Sequence, residues 1–355
     1  MQVGTLTFPS SPSHGASLQM CALYKVLKNM GVDAEVIHYV SENVIHRRQP
    51  SKNWKERVSG LFLKDTGAAF REFEAQIQFS HKSPITCTDE LKEFAKVYDR
   101  IIVGSDQVWN PAVTGNDMNF YLEFCEDNRK KASYAPSFGV DHIAPEDRNK
   151  IAGLLSQITY LSAREERGKE LIFELTGRDV PVVLDPTFLL DREEWRTMKK
   201  PSGAKGDYVF VYTIKPSPKL YLTARAFAQK HGYKVVTISG GIHGVLDKFN
   251  PKKSTVSGIG PAEFLDLIDN ATYIFTNSFH GAAMSIILNK DFFVEFSSET
   301  NSRLVSLVNH FGLHSSIIDC DDFDYALRSI DYEKVNQIIS EKRKESLSYL
   351  EGIVG

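Results

Sequence analysis

A histidine at the start of a helix, just past the end of a buried strand, can pass a proton to a substrate whose phosphate or carboxylate is held at the same place. Residues 270–290, NATYIFTNSFHGAAMSIILNK, have that layout. Tyr273, Ile274 and Phe275 form an apolar, β-branched and aromatic run that reads as a buried strand. Thr276, Asn277 and Ser278 are helix N-cap residue types, and 282–288 is a run of helix formers and small residues. His280 is thus expected in the first helical turn, where unpaired backbone N–H groups and the positive helix end attract an anion. The N–H groups of Phe279, His280 and Gly281 are the expected phosphate donors. The other reading is a structural histidine packed under Gly281.

Four more segments share this design of an apolar run, a small polar cluster and then a helix or turn: SHGASLQ at 13–19, GSDQVWN at 104–110, SARE at 162–165 and DPT at 185–187. They supply His14, Gly15, Asp106, Gln107, Trp109 and Arg164 as candidates. Asp106 reads either as a cap after its strand or as a base for a hydroxyl group. Trp109 reads either as a platform for a sugar face or as core beneath its loop. Asp185, Pro186 and Thr187 read as a structural turn. The glycines match neither the dinucleotide fingerprint nor the P-loop. No H-E-x-x-H pattern occurs among the ten histidines, so no metal site is expected.

The elements that must position these residues alternate along the chain. Residues 3–8 read as a strand. Ala16, Met20, Leu23, Leu27 and Met30 follow at helical spacing, and Gly31 ends the helix. A second strand is expected at 34–39. The segment 41–97 reads as a polar, partly helical insertion carrying Arg47, Arg48, Lys52, Lys55 and Arg57. Further strands are expected at 100–103, 131–134, 159–162 and 180–184. After a hydrophilic connection at 191–207, strands are expected at 208–212, 234–238, 273–275 and 292–296, with helices at 221–230, around Phe264 to Ile268, and at 332–349. Such β-α-β order predicts parallel sheets with helices on both faces. The fold class is α/β, with two Rossmann-like, doubly wound domains facing a cleft: 1–195, 207–330 and a C-terminal helix at 331–355.

With 355 residues, 42% hydrophobic and 25% charged, the chain reads as a soluble globular protein of about two domains. A net charge of −3 argues against a nucleic-acid partner. The N-terminus, MQVGTLTF, reads as a core strand rather than a signal peptide, and no apolar run approaches the roughly 20 residues of a membrane span. Cys21, Cys87, Cys125 and Cys320, far apart in sequence, read as free buried thiols in a reducing cytoplasm. The basic run near Arg47 reads as a solvated face or as a contact with a lipid-linked acceptor at the inner face of the membrane.

Taken in order, these segments resemble the polysaccharide pyruvyl transferase family from the first strand to Gly312. The resemblance is strongest at GSDQVWN, DPTFLL and TNSFHG. That family is similar in fold to the two-domain GT-B glycosyltransferases, and the resemblance implies transfer of a pyruvyl group from phosphoenolpyruvate to sugar hydroxyls of a cell-surface polysaccharide precursor, forming a ketal. Phosphoenolpyruvate would be the donor substrate and no cofactor would be needed; the partner would be a glycan or lipid-linked sugar acceptor. His280 suits the acid that protonates the enol methylene. Arg164 suits the grip on carboxylate or phosphate. Asn277, Ser278, Phe279, Gly281, Asp106, Gln107, Trp109 and Gly15 would line the substrates, with the N-terminal domain on the acceptor side and the C-terminal domain on the donor side. Family members often carry an arginine where this chain has Ser278; Arg303 is a candidate to replace it, against a reading of Arg303 as a surface ion pair. A GT-B glycosyltransferase using a nucleotide-sugar, or a non-catalytic glycan-binding protein, are the competing readings.

Overall fold

Two parallel sheets organise the chain. The computed structural model describes residues 1–9, 11–41, 66–238, 254–296 and 302–355. The basic run from Arg47 to Arg57 lies outside the described residues. Backbone contacts divide the protein into one unit of Met1–Gln49, Glu74–Leu190 and Ile339–Gly355, and another of Pro50–Phe73 and Asp191–Ile338.

In the first unit β1 (Gln2–Leu6), β2 (Asp33–Val36), β3 (Arg100–Val103) and β4 (Lys131–Ser133) pair in the order β2-β1-β3-β4, every pair parallel. The strands are short and mostly buried, as strands covered on both faces are, although only β3 is nearly continuous in apolar residues. Helices α1 (His14–Asn29), α3 (Thr88–Val97), α4 (Pro111–Thr114), α5 (Pro145–Ser156) and α6 (Glu166–Thr176) accompany them; α2 (Thr66–Glu74) is counted mostly with the second unit. α1 ends where expected, with Gly31 in the left-handed region at φ 77°.

Two expected strands of this unit are single bridges, Ala132 to Tyr160 and Ala163 to Val182. Beyond the Ala132–Tyr160 bridge, serine side chains take over from the ladder. The Ser162 N–H donates to Ser133 Oγ at 2.9 Å, the Ser162 hydroxyl to Ser133 O at 3.1 Å, and the Ala135 N–H to Ser162 Oγ at 3.2 Å. Side-chain hydroxyls compete with regular strand pairing in this way. The C-terminal helix α12 (Tyr332–Val354) begins among residues of the second unit. Past Ile339 it holds the first unit: Arg343 donates to the carbonyls of Phe188 and Leu190, and Tyr349 to that of Ser133.

In the second unit β5 (Tyr208–Tyr212), β6 (Lys234–Ile238), β7 (Ser254–Val256), β8 (Tyr273–Thr276) and β9 (Phe292–Val294) run parallel in the order β7-β6-β5-β8-β9. The helices are α7 (Arg192–Thr197), α8 (Pro218–His231), α9 (Pro261–Asn270), α10 (Phe279–Ile287) and α11 (Ser302–Phe311). The hydrophilic segment 191–207 begins as a capped helix: Asp191 and Glu194 form a reciprocal capping box. Arg196 and Lys199 pair with Asp269 at 3.0 and 2.6 Å, which ties the segment to α9. Phe227 of α8 centres one core cluster, its ring 5.0–5.6 Å from those of Tyr273, Phe275 and Phe293. Each such pair adds about 0.5–1.5 kcal/mol beyond its buried area. Every residue of α10 is buried, the pattern of a helix covered all round.

Candidate functional site

A doubly wound sheet binds ligands where the strand order reverses, outside the carboxyl ends. In the second unit the chain moves from β5 to β6 and β7 on one side, then to β8 and β9 on the other, so the reversal lies between β5 and β8. His280 stands there. The chain leaves β8 through a relay of short bonds: Thr276 donates through its hydroxyl to Tyr212 O at 2.7 Å, and Ser278 N–H to Thr276 Oγ1 at 3.0 Å. Ser278 then caps α10, its Oγ accepting the Gly281 N–H at 3.2 Å. This places His280 as the second residue of the helix, 5% exposed, with its ring edge-on to Phe279 at 5.1 Å.

The expected phosphate donors are therefore unequal, because the Gly281 N–H already serves the cap. A Cβ at Gly281 would collide with Thr276 Oγ1 and press on the Tyr212 ring. Gly281→Ala is expected to cost about 1–3 kcal/mol through overpacking, read as a lowered midpoint in thermal or denaturant unfolding; unchanged stability would mean that the strand end is looser than these contacts imply. Asn277 reaches the β5–α8 loop, accepting the Ile214 N–H and donating to Lys215 O, both at 3.0 Å. Arg303 is the second residue of α11, half-buried, and α11 packs against α10.

The reversal in the first unit lies between β1 and β3. Thr7 joins the two strand ends, its hydroxyl donating to Ser105 O at 3.0 Å. Gly15 and His14 open α1 behind its Ser13 cap, both buried. Asp106 follows β3, half-exposed, with φ 77°. A non-glycine residue held there is strained by roughly 1–3 kcal/mol, and such strain collects at functional sites. Its carboxylate accepts the Gln107 N–H at 2.8 Å and its carbonyl accepts the Ser137 N–H at 2.9 Å. Gln107 is held in turn, its Oε1 accepting from Asn110 at 2.7 Å. Gly139, at φ 60°, lets this pair approach; a Cβ would run into the Gln107 amide.

Arg164 lies in the same unit with its side chain 1% exposed. It donates to Asp185 Oδ2 at 2.8 Å and to Ser105 Oγ at 3.4 Å, and Glu165 is 3.7 Å away. Burial would lower the guanidinium pKa, but the carboxylates of Asp185, Glu165 and Asp106 outweigh it and raise the pKa. Asp185, expected to be a turn, does more than turn the chain: it also accepts from Thr187 N–H and hydroxyl at 3.0 and 2.8 Å. Glu165 accepts the Ser137 hydroxyl at 2.7 Å. Ser105, Ser137 and Glu165, none of them a candidate from sequence alone, complete the cluster, and Glu165 follows Arg164 directly.

Two expectations need correction. Trp109 is 1% exposed, donates to Phe120 O at 2.8 Å and stacks on Tyr121 at 5.4 Å with a 6° interplanar angle. Its indole faces are core contacts rather than a sugar platform, because the polar loop around it folds over the unit's main cluster. Cys87, expected to be buried, is exposed at the cap of α3, whereas Cys21 and Cys125 are buried. Among the described residues no group of three or more metal-ligating side chains forms, and no helix is long and apolar enough to cross a membrane.

Two doubly wound α/β units with polar residues at both strand-order reversals define the GT-B type of fold. Solved structures agree on that fold. The UDP-GlcNAc 2-epimerase of Methanocaldococcus jannaschii is similar with a TM-score of 0.54 and 15% identity, over 96% of this chain and 92% of the epimerase. The UDP-GlcNAc 2-epimerase of Neisseria meningitidis is similar with a TM-score of 0.51 and 10% identity, over 98% and 93%. Among curated proteins, none matches the chain. The model of one family, polysaccharide pyruvyl transferase, matches residues 14–294, and the chain belongs to that family.

Proposed function

We propose that this member of the family transfers the pyruvyl group of phosphoenolpyruvate to hydroxyls of a polysaccharide precursor and forms a pyruvate ketal. The observation that carries this reading is His280 in the first turn of α10, at the reversal between β5 and β8, in a chain of this family. The imidazolium gives its proton to the methylene carbon of the enol, and a sugar hydroxyl bonds to the neighbouring carbon. The carbon–oxygen bond to phosphate then breaks, and a second hydroxyl of the same sugar closes the ketal. The two hydroxyl protons balance the one placed on carbon and the one leaving with phosphate.

The start of α10 suits the donor phosphate, since its partial positive charge and backbone N–H groups favour an anion. Arg303, on the helix packed against α10, is proposed as the side-chain cation that Ser278 cannot supply. The reading is tested by incubating the protein with phosphoenolpyruvate and a panel of synthetic and lipid-linked glycosides. Acceptor-dependent release of inorganic phosphate is expected. Release of a nucleoside diphosphate from a nucleotide-sugar would move the protein to the glycosyltransferases, and no turnover with any donor would favour a glycan-binding role.

A further inference from the structure

Beside the His280 crevice, on the other flank of β5, a cavity of about 220 Å³ opens at the carboxyl ends of β5 and β6. Tyr212, Thr213, Ser217, Tyr221 and Thr237 line it. We propose that this cavity is the subsite for one sugar ring of the acceptor, an inference that rests on the transferase reading above.

Size, charge and hydrogen bonding decide the occupant. Pockets for drug-sized ligands span about 300–1,000 Å³, so this one takes a single ring rather than a nucleotide. None of the described lining residues is Lys or Arg, which disfavours phosphate or carboxylate. The charge tied into the wall is negative instead: the Ser217 hydroxyl donates to Glu295 Oε1 at 3.0 Å. Among the described residues, the hydroxyls of Thr213 and Thr237 carry no hydrogen bond. Tyr221 adds aromatic surface one helical turn beyond Ser217, whereas the Tyr212 ring packs against Phe264. Hydroxyls beside one aromatic ring, with no lysine or arginine among the described lining residues, suit a neutral polyol. The place is chemically apt, because the hydroxyls that attack the enol must belong to a ring bound close to the donor. Thr276 Oγ1 bonded to Tyr212 O puts the wall of the cavity and the start of α10 on adjacent strand ends.

Saturation-transfer NMR with methyl glycosides of several hexoses, on the full chain, reads occupancy without needing turnover. Thr237 is half-exposed at the end of its strand, so Thr237→Leu fills the cavity and Thr237→Val removes only the hydroxyl. Glycoside binding is expected in the unmodified protein, undisturbed by phosphoenolpyruvate, and about tenfold weaker in Thr237→Leu, with a smaller loss in Thr237→Val. The acceptor KM should rise in parallel while the KM for phosphoenolpyruvate stays put. Thr237→Val alone decides the matter if Thr237→Leu fails to fold. Binding of no glycoside, binding unchanged by either substitution, or displacement by phosphoenolpyruvate would each overturn the subsite. Phosphate release in those cases would leave the transferase reading standing. Substitution-sensitive glycoside binding without turnover of phosphoenolpyruvate would keep the subsite and remove that reading.

Discussion

His280→Gln is expected to lower kcat by about 10² to 10⁴, the range for loss of a general acid, while thermal stability and phosphoenolpyruvate binding stay close to those of the unmodified protein. The expectation separates chemistry from packing. His280 is 5% exposed in a helix with every residue buried, so a purely structural role would also make it sensitive to substitution. Glutamine keeps polarity and approximate size and retains hydrogen-bonding capacity, but it cannot deliver a proton near neutral pH. A structural histidine would therefore reveal itself as lost stability with proportionate loss of activity. An acid would reveal itself as a folded protein that binds donor and turns over slowly. Direct measurement of donor affinity by calorimetry, beside single-turnover kinetics, distinguishes the two. Near-normal turnover in a folded His280→Gln protein would end the assignment and send the search for the acid to other residues.

The part of the candidate site around His280 was legible because its signals are local. An apolar strand run, three consecutive cap-type residues and a helix-forming run lie within a score of positions, and the Ser278 cap and Gly281 fit follow from neighbours in sequence. The alternation of strands and helices was legible for the same reason, since parallel buried strands write continuous apolar runs. What stayed hidden depends on distant partners. Ser133 and Ser162 supplant strand pairing through side chains 29 positions apart. Arg164 and Asp185, 21 positions apart, meet only through the fold. Trp109 sits in a polar segment whose composition leaves sugar platform and core both open, and only the fold decides for core. The cavity under Thr237 and Ser217 joins residues that looked like an ordinary strand end and an ordinary Ser-Pro helix start. Periodicity reports which face is buried. It does not report which polar side chains meet there.

Arg164→Ala is expected to destabilise the first unit by about 3–5 kcal/mol, the cost of removing one partner from a buried ion pair. Asp185 and Glu165, with side chains 0% and 3% exposed, would keep their carboxylates inside with the compensating charge gone. The effect should be local. Hydrogen exchange should accelerate in β3, β4 and the segments around Ser105 and Ser137, and far less in β5 or β8. The pair can be isolated by a double-mutant cycle, in which adding Asp185→Asn to Arg164→Ala should cost less than the two single effects summed. Arg164→Lys should restore part of the stability, because an ammonium supplies the charge but not the rigid planar guanidinium whose Nη1 reaches both Asp185 and Ser105. The same lysine variant tests whether Arg164 also grips an anionic substrate. A charge-assisted hydrogen bond contributes roughly 1.5–3 kcal/mol, so a gripping arginine predicts at least about a tenfold loss of kcat/KM in a protein that still folds. Stable, fully active Arg164→Lys would confine the residue to holding Asp185 in place, and a stable Arg164→Ala would refute the buried pair itself.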